Sequence, residues 1–163
     1  MRYILSQKLF SFVDKFTIQD ENERDAYYVE GRMFSFGNKL SFRDMSGNEL
    51  IFIQQRLMTF SPTYDIYRGG RLYATLKKEL FTFFNCRFNI DVVGSYDIQV
   101  EGDFFDHEYT FTKNGKEIGR VSKEWFTWSD RYAVEIDSFE DAPFILACAV
   151  IIDMICHDNK NNG

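Results

Sequence analysis

The segment DAPFILACAVIIDMICHDN, Asp141 to Asn159, is the one part of the chain without the period of two that marks the rest. From Phe144 to Ile152 every residue is apolar. The segment predicts a helix from about Asp141 to His157, with Asp141 as N-cap and Pro143 in the first turn. It is too short to cross a bilayer, where ~20 apolar residues are needed. A helix apolar on all sides must be buried on all sides. A flat sheet covers one face, whereas a closed barrel covers every face. An eight-stranded barrel is just filled by its own side chains, so a helix about 10 Å across needs more strands than that.

The chain upstream supplies them through a repeat. Aligned on Gly47, Gly70 and Gly115 without a gap, three segments read GNELIFIQQRLMTF, GRLYATLKKELFTF and GKEIGRVSKEWFTW. Apolar residues recur at the fourth position (Leu50, Tyr73, Ile118) and the seventh (Ile53, Leu76, Val121). They recur again at the eleventh (Leu57, Leu80, Trp125), twelfth (Met58, Phe81, Phe126) and fourteenth (Phe60, Phe83, Trp128). In the third copy, Trp125 to Trp128 are expected to carry interior bulk. Each copy opens at a turn: Ser46-Gly47-Asn48, Gly69-Gly70 and Asn114-Gly115, the last of type I′. A fourth turn is expected at Gly37-Asn38. Each copy is therefore a hairpin with a longer outgoing strand. The spacing between copies implies a degenerate unit between Phe88 and Val100. Extension in both directions gives ten to twelve strands in up-and-down order before Ile136.

Composition agrees with a β-rich interior, since 18% of residues are aromatic and aromatics favour strands. The expectation is one domain over residues 1–157, with 158–163 a frayed polar tail. A net charge of −6 disfavours non-specific attraction to nucleic acid or anionic membranes. MRYILSQKLFSF has no apolar run long enough for a signal peptide. Cys86, Cys148 and Cys156 form no CxxC, and the last two would stand about 12 Å apart on a helix, too far to bridge. Reduced thiols, a cytoplasmic location and a monomer are expected.

The chain resembles the LURP-one-related family, within the tubby C-terminal-domain superfamily that also takes in phospholipid scramblases. The resemblance lies in FTIQDENERDAYYVEG (Phe16–Gly31), LSFRDMSGNEL (Leu40–Leu50), YDIYRGGRLYATLKKELFTF, YTFTKNGKEIGRVSKEWFTWSDRYAVEI and DAPFILACAVIIDMI. It implies a twelve-stranded β-barrel around a hydrophobic C-terminal helix. These are fold patterns rather than catalytic signatures.

No P-loop, GxGxxG, GxSxG or HExxH is present, so an enzyme is not expected, and no cofactor. His107, in EGDFFDHE with Asp103, Asp106 and Glu108, reads as part of a solvated acidic loop rather than a metal site. Asp137, Glu140 and Asp141 read as helix caps and dipole partners, with calcium the alternative that the scramblase resemblance implies. Asp153 must be paired, hydrogen-bonded or protonated inside its helix; a strand end, an Arg or a Tyr is the expected partner. Arg68, Arg71, Lys77 and Lys78 flank the second copy, and Lys113, Lys116, Arg120 and Lys123 the third. If the two hairpins are neighbours, these eight form a basic face. Tubby domains bind phosphoinositide headgroups through basic surface residues, so the resemblance implies an anionic-lipid site there. A solvated face balanced by Glu79, Glu117 and Glu124 is the plainer reading. The function expected is therefore non-catalytic binding or scaffolding, with an anionic phospholipid headgroup or a protein as ligand. A carrier of a small apolar ligand is the alternative, and it requires a free cavity. Lipid scrambling is disfavoured because the one very apolar segment reads as internal.

Overall fold

The computed structural model describes residues 1–6, 15–32, 37–80, 86–123 and 131–157, with the backbone alone at Arg32. Twelve strands and one helix account for most of them. The strands are β1 (Arg2–Ser6), β2 (Lys15–Asp20), β3 (Asp25–Arg32), β4 (Lys39–Asp44), β5 (Glu49–Gln55) and β6 (Thr63–Arg68). They continue as β7 (Arg71–Leu80), β8 (Cys86–Val92), β9 (Asp97–Asp103), β10 (Glu108–Lys113), β11 (Lys116–Lys123) and β12 (Arg131–Ile136). Each strand pairs antiparallel with the next, and β1 pairs with β12 from Arg2↔Glu135 to Ser6↔Arg131, closing the barrel. The degenerate unit is the β8–β9 hairpin.

Strict alternation gives the barrel two unlike ends. At one, the turn end, β2–β3, β4–β5, β6–β7, β8–β9 and β10–β11 are joined by short turns. Asn114 and Gly115 have φ of 50° and 76°, and Gly69 and Gly70 have 53° and 75°, the two left-handed residues a type I′ turn requires. Four of these hairpins slip by one residue close to the turn, at Ile18/Gln19, Phe42/Arg43, Ile66/Tyr67 and Phe111/Thr112. Such bulges bend and twist a strand, and their recurrence is the structural form of the sequence repeat. At the other end, the loop end, β1 gives way to β2, β3 to β4, β5 to β6, β7 to β8, β9 to β10 and β11 to β12.

The helix α1 (Ala142–His157) runs through the bore. Every residue from Phe144 to Cys156 is at most 5% exposed. The barrel turns Leu5, Ile18, Phe42, Ile51, Ile53, Ile66, Leu76, Phe88, Ile90, Phe111, Val121 and Val134 into the same fully buried core. Each such side chain contributes about 1.5–3 kcal/mol by leaving water. Asp141 is the N-cap as expected: its Oδ1 accepts the Phe144 N–H at 3.3 Å, and its carbonyl accepts the Ile145 N–H at 3.1 Å. Since β12 ends at the turn end, the helix enters there and its C-terminus emerges at the loop end.

In the first two copies, the described residues at the eleventh, twelfth and fourteenth positions face solvent. Leu57 and Leu80 are exposed, and Met58 and Phe60 are fully so. β5 stops at Gln55, and Met58 takes a left-handed φ of 58°, which breaks the inward–outward alternation. An Arg56 N–H to Thr63 carbonyl bond of 2.8 Å closes the loop beneath them. The copies' remaining positions, Phe81, Phe83, Trp125, Phe126 and Trp128, lie outside the described residues, as does the tail 158–163. Cys86, Cys148 and Cys156 are unbridged.

Candidate functional site

Where α1 reaches the loop end, polar groups interrupt the apolar core. Asp153 is 3% exposed, and its Oδ1 is shared by two histidines. His107 Nε2 lies 2.7 Å away and His157 Nδ1 3.1 Å away. Asp153 and His157 are four apart on α1, hence on one face. His107 comes from the connection between β9 and β10. There Asp103 Oδ1 accepts the N–H groups of Phe105 and Asp106, both at 3.1 Å, which curls the chain. Phe104 plugs inward, edge-on to Phe88 at 4.8 Å. His107 then takes a φ of 55°, a conformation in which histidine is enriched, and points into the barrel.

The three polar groups sit among aromatic rings. His107 stacks on Tyr132 at 4.5 Å and on His157 at 4.7 Å, with interplanar angles of 25° and 14°. The hydroxyls of Tyr109 and Tyr132, both inside the core, have no hydrogen-bond partner among the described residues. Burial pushes both phenols well above their usual range, and the charge of Asp153 adds to this. Burial also pushes the Asp153 carboxyl up. The hydrogen bonds from His107 and His157, with their charges, outweigh it and hold the group below the ordinary carboxylate range. One donor atom from each of His107, Asp153 and His157 lies within 4.8 Å of the others.

His107 is thus not part of a solvated loop, because it is 2% exposed. The partners of Asp153 are histidines, rather than a strand end, an Arg or a Tyr. The DxxxH spacing of Asp153 and His157 was the available sequence signal. The third member lies 46 residues from Asp153 and required the topology.

The eight basic residues divide between the two ends. The β6–β7 and β10–β11 hairpins are separated by β8 and β9, so they do not form one sheet face. At the turn end, Arg68 pairs with Asp141 and lies 4.5 Å over the Tyr73 ring. Lys113 pairs with Glu140, Lys116 with Asp137 at 2.8 Å, and Arg120 with Glu117 at 2.7 Å. The three acids before α1 therefore serve as cap and ion-pair partners in this arrangement. Arg71 is exposed at the start of β7. Lys77 and Lys78 lie toward the loop end of β7, and Lys123 ends β11 there with its N–H on Glu108 Oε1. That end also presents Leu57, Met58, Phe60, Leu80 and Phe105 to solvent.

A family model described as LURP-one-related matches residues 1–153. An uncharacterized protein of Bacillus subtilis (strain 168), YxjI, is 34% identical over 159 residues, covering 98% of this chain and 96% of that protein. An X-ray structure of a protein from Arabidopsis thaliana superposes with a TM-score of 0.72 at 16% identity, over 96% of this chain and 92% of that one. The last likeness establishes the fold alone.

Proposed function

The chain belongs to the LURP-one-related family, and from that premise we propose that it is a non-catalytic binding or scaffold protein of the tubby-like class, acting in the cytoplasm. The observation that carries this reading is the filled bore. A helix buried from Phe144 to Cys156 occupies the space that a carrier would give its cargo. Recognition then falls to the outer surface and the two ends. Among the described residues no helix is long and apolar enough to cross a membrane, so any lipid contact made through α1 would require the barrel to open.

The ligand we put first is an anionic phospholipid headgroup, met at the loop end. The turn-end cations Arg68, Lys113, Lys116 and Arg120 already face carboxylates, which leaves them less charge to offer. Lys77 and Lys78 instead lie next to the β5–β6 loop, Lys77 paired with Thr63 and the Lys78 N–H on the Pro62 carbonyl, and that loop exposes Leu57, Met58 and Phe60. Apolar tips beside basic side chains are the combination that peripheral membrane contact uses. Flotation with phosphatidylcholine vesicles, with and without phosphoinositide, tests it. Binding is expected only with the anionic lipid, and it should fall at least tenfold in a Lys77→Glu, Lys78→Glu double variant and in Phe60→Asp. No flotation would remove the lipid reading and leave a protein as the ligand.

A further inference from the structure

We infer that His107, Asp153 and His157 form a binding site for one divalent transition-metal ion of the zinc class, at the loop end of the barrel. Three observations converge on it. The first is the donor set. Two imidazole nitrogens and a carboxylate oxygen lie within 4.8 Å of one another, with 2.7 and 3.1 Å as the nitrogen–oxygen distances. Zinc–ligand bonds of about 2.0–2.2 Å put tetrahedral ligand atoms roughly 3.3–3.6 Å apart. Side-chain adjustments of about 1 Å or less bring all three atoms onto such a sphere. Two imidazoles select against calcium and magnesium, which prefer oxygen.

The second observation is the placement of Asp153. α1 is otherwise apolar from Ala142 to Cys156, and a leucine or methionine at 153 would meet none of the cost of a buried carboxylate. The chain instead keeps the carboxylate and brings in histidines from two elements to face it. The third is the pair of buried hydroxyls. Tyr132 lies directly against His107, yet its hydroxyl and that of Tyr109 have no partner among the described residues. The hydrogen bonds among the three donors do nothing for those two groups. A metal-bound water, which donates strongly, would give them one.

The site also has an entrance, because the His157 side chain is 26% exposed at the last turn of the helix. The inference stands apart from the surface reading above, since it uses neither vesicles nor the basic residues.

The test is titration of chelator-treated full-length protein with zinc chloride by calorimetry, with metal content measured after gel filtration. Cobalt chloride gives a second signal through its visible absorption. One equivalent of zinc should bind, and Tm should rise by roughly 5–10 °C at a hundredfold excess over Kd. His107→Gln and His157→Ala should each weaken binding at least a hundredfold. His157 is the member nearest solvent, so His157→Ala is the variant expected to stay folded, with a native far-UV spectrum and a cooperative metal-free melting transition, if at a lower Tm. Absence of stoichiometric zinc from the wild type would overturn the inference, leaving a hydrogen-bonded cluster. So would wild-type affinity in a folded His157→Ala.

Discussion

Replacing Ala149 by aspartate tests the buried helix most directly. Ala149 is 0% exposed and lies one turn before Asp153 on the same face of α1. The two carboxylates would therefore be neighbours at i and i+4, a repulsive arrangement. Asp153 has His107 and His157 within 3.1 Å. The new group would sit one turn, about 5.4 Å, farther along the helix toward the turn end. It would be a buried acid with a like charge beside it.

Burial of this kind raises a carboxyl by about 3–5 pH units, at about 1.36 kcal/mol per unit. Starting from about 3.9 in the unfolded chain, the group in the folded protein is then mostly protonated at pH 7. The ionisation cost at that pH is capped at about 4 kcal/mol, because protonation replaces further destabilisation. An unpaired carboxylic acid adds about 1–3 kcal/mol, and the extra volume about 1–3 more. Together these reach about 6–10 kcal/mol, against a total stability of about 5–15 kcal/mol for a natural domain.

The sign of the pH dependence follows. A folded-state value raised above the unfolded one penalises the fold above about pH 4, and the penalty vanishes below it. The deficit relative to wild type should shrink by about 4 kcal/mol between pH 7 and pH 4. Urea unfolding followed by far-UV circular dichroism at both pH values measures it. Phe139→Asp, at a 93% exposed position, should change stability by no more than about 0.5 kcal/mol. An unchanged midpoint for Ala149→Asp would refute the buried helix. An equal deficit at both pH values would refute the charge argument while leaving the packing one.

Gly102 has a φ of 142°, and an added Cβ would lie 2.4 Å from the Glu108 carbonyl and 2.6 Å from Tyr109 Cα. Gly102→Ala should therefore cost more than about 3 kcal/mol, read as a fall in Tm. Burial raises the Cys148 thiol strongly and takes that of Cys156 up to about 12. Under native conditions iodoacetamide should modify the half-buried Cys86 first and reach the other two only on unfolding. The hydrogen bond from Lys116 holds the Asp137 carboxyl below its ordinary range. A carbon-detected NMR titration should show its midpoint rising in Lys116→Ala, and any stability the pair adds should be lost as pH falls through the lowered value.

The barrel was legible because turns and alternation are local. Asn114-Gly115 and Gly69-Gly70 could only be left-handed pairs, and the residues after each turn alternate because one face is buried. The N-cap at Asp141 was local in the same sense. The fate of Leu57, Met58 and Phe60 was not, since an aromatic in the FTF pattern reads alike in a strand and just past its end. Only the left-handed turn at Met58 separates the two. The basic face depended on the β6–β7 and β10–β11 hairpins being neighbours, and similar hairpins recur around the wall, so which of them adjoin was not legible; two strands lie between this pair.

The His107–Asp153–His157 cluster depends on parity. Short turns join even-numbered strands to the next odd ones, so all lie at the end where the chain begins. With an even count, twelve, the last strand also finishes there, as the Met1 amine on the Ile136 carbonyl at 2.7 Å confirms. A helix following it has to traverse the bore, about 24 Å for the 16 residues of α1, and surface among the opposite loops. One of those is the β9–β10 connection that carries His107. An odd number of strands would have sent α1 the other way, placing Asp153 and His157 beside the tight turns and 107 at the far end. The meeting of these residues is thus a consequence of counting strands correctly. The repeat bounded that count at ten to twelve without deciding it.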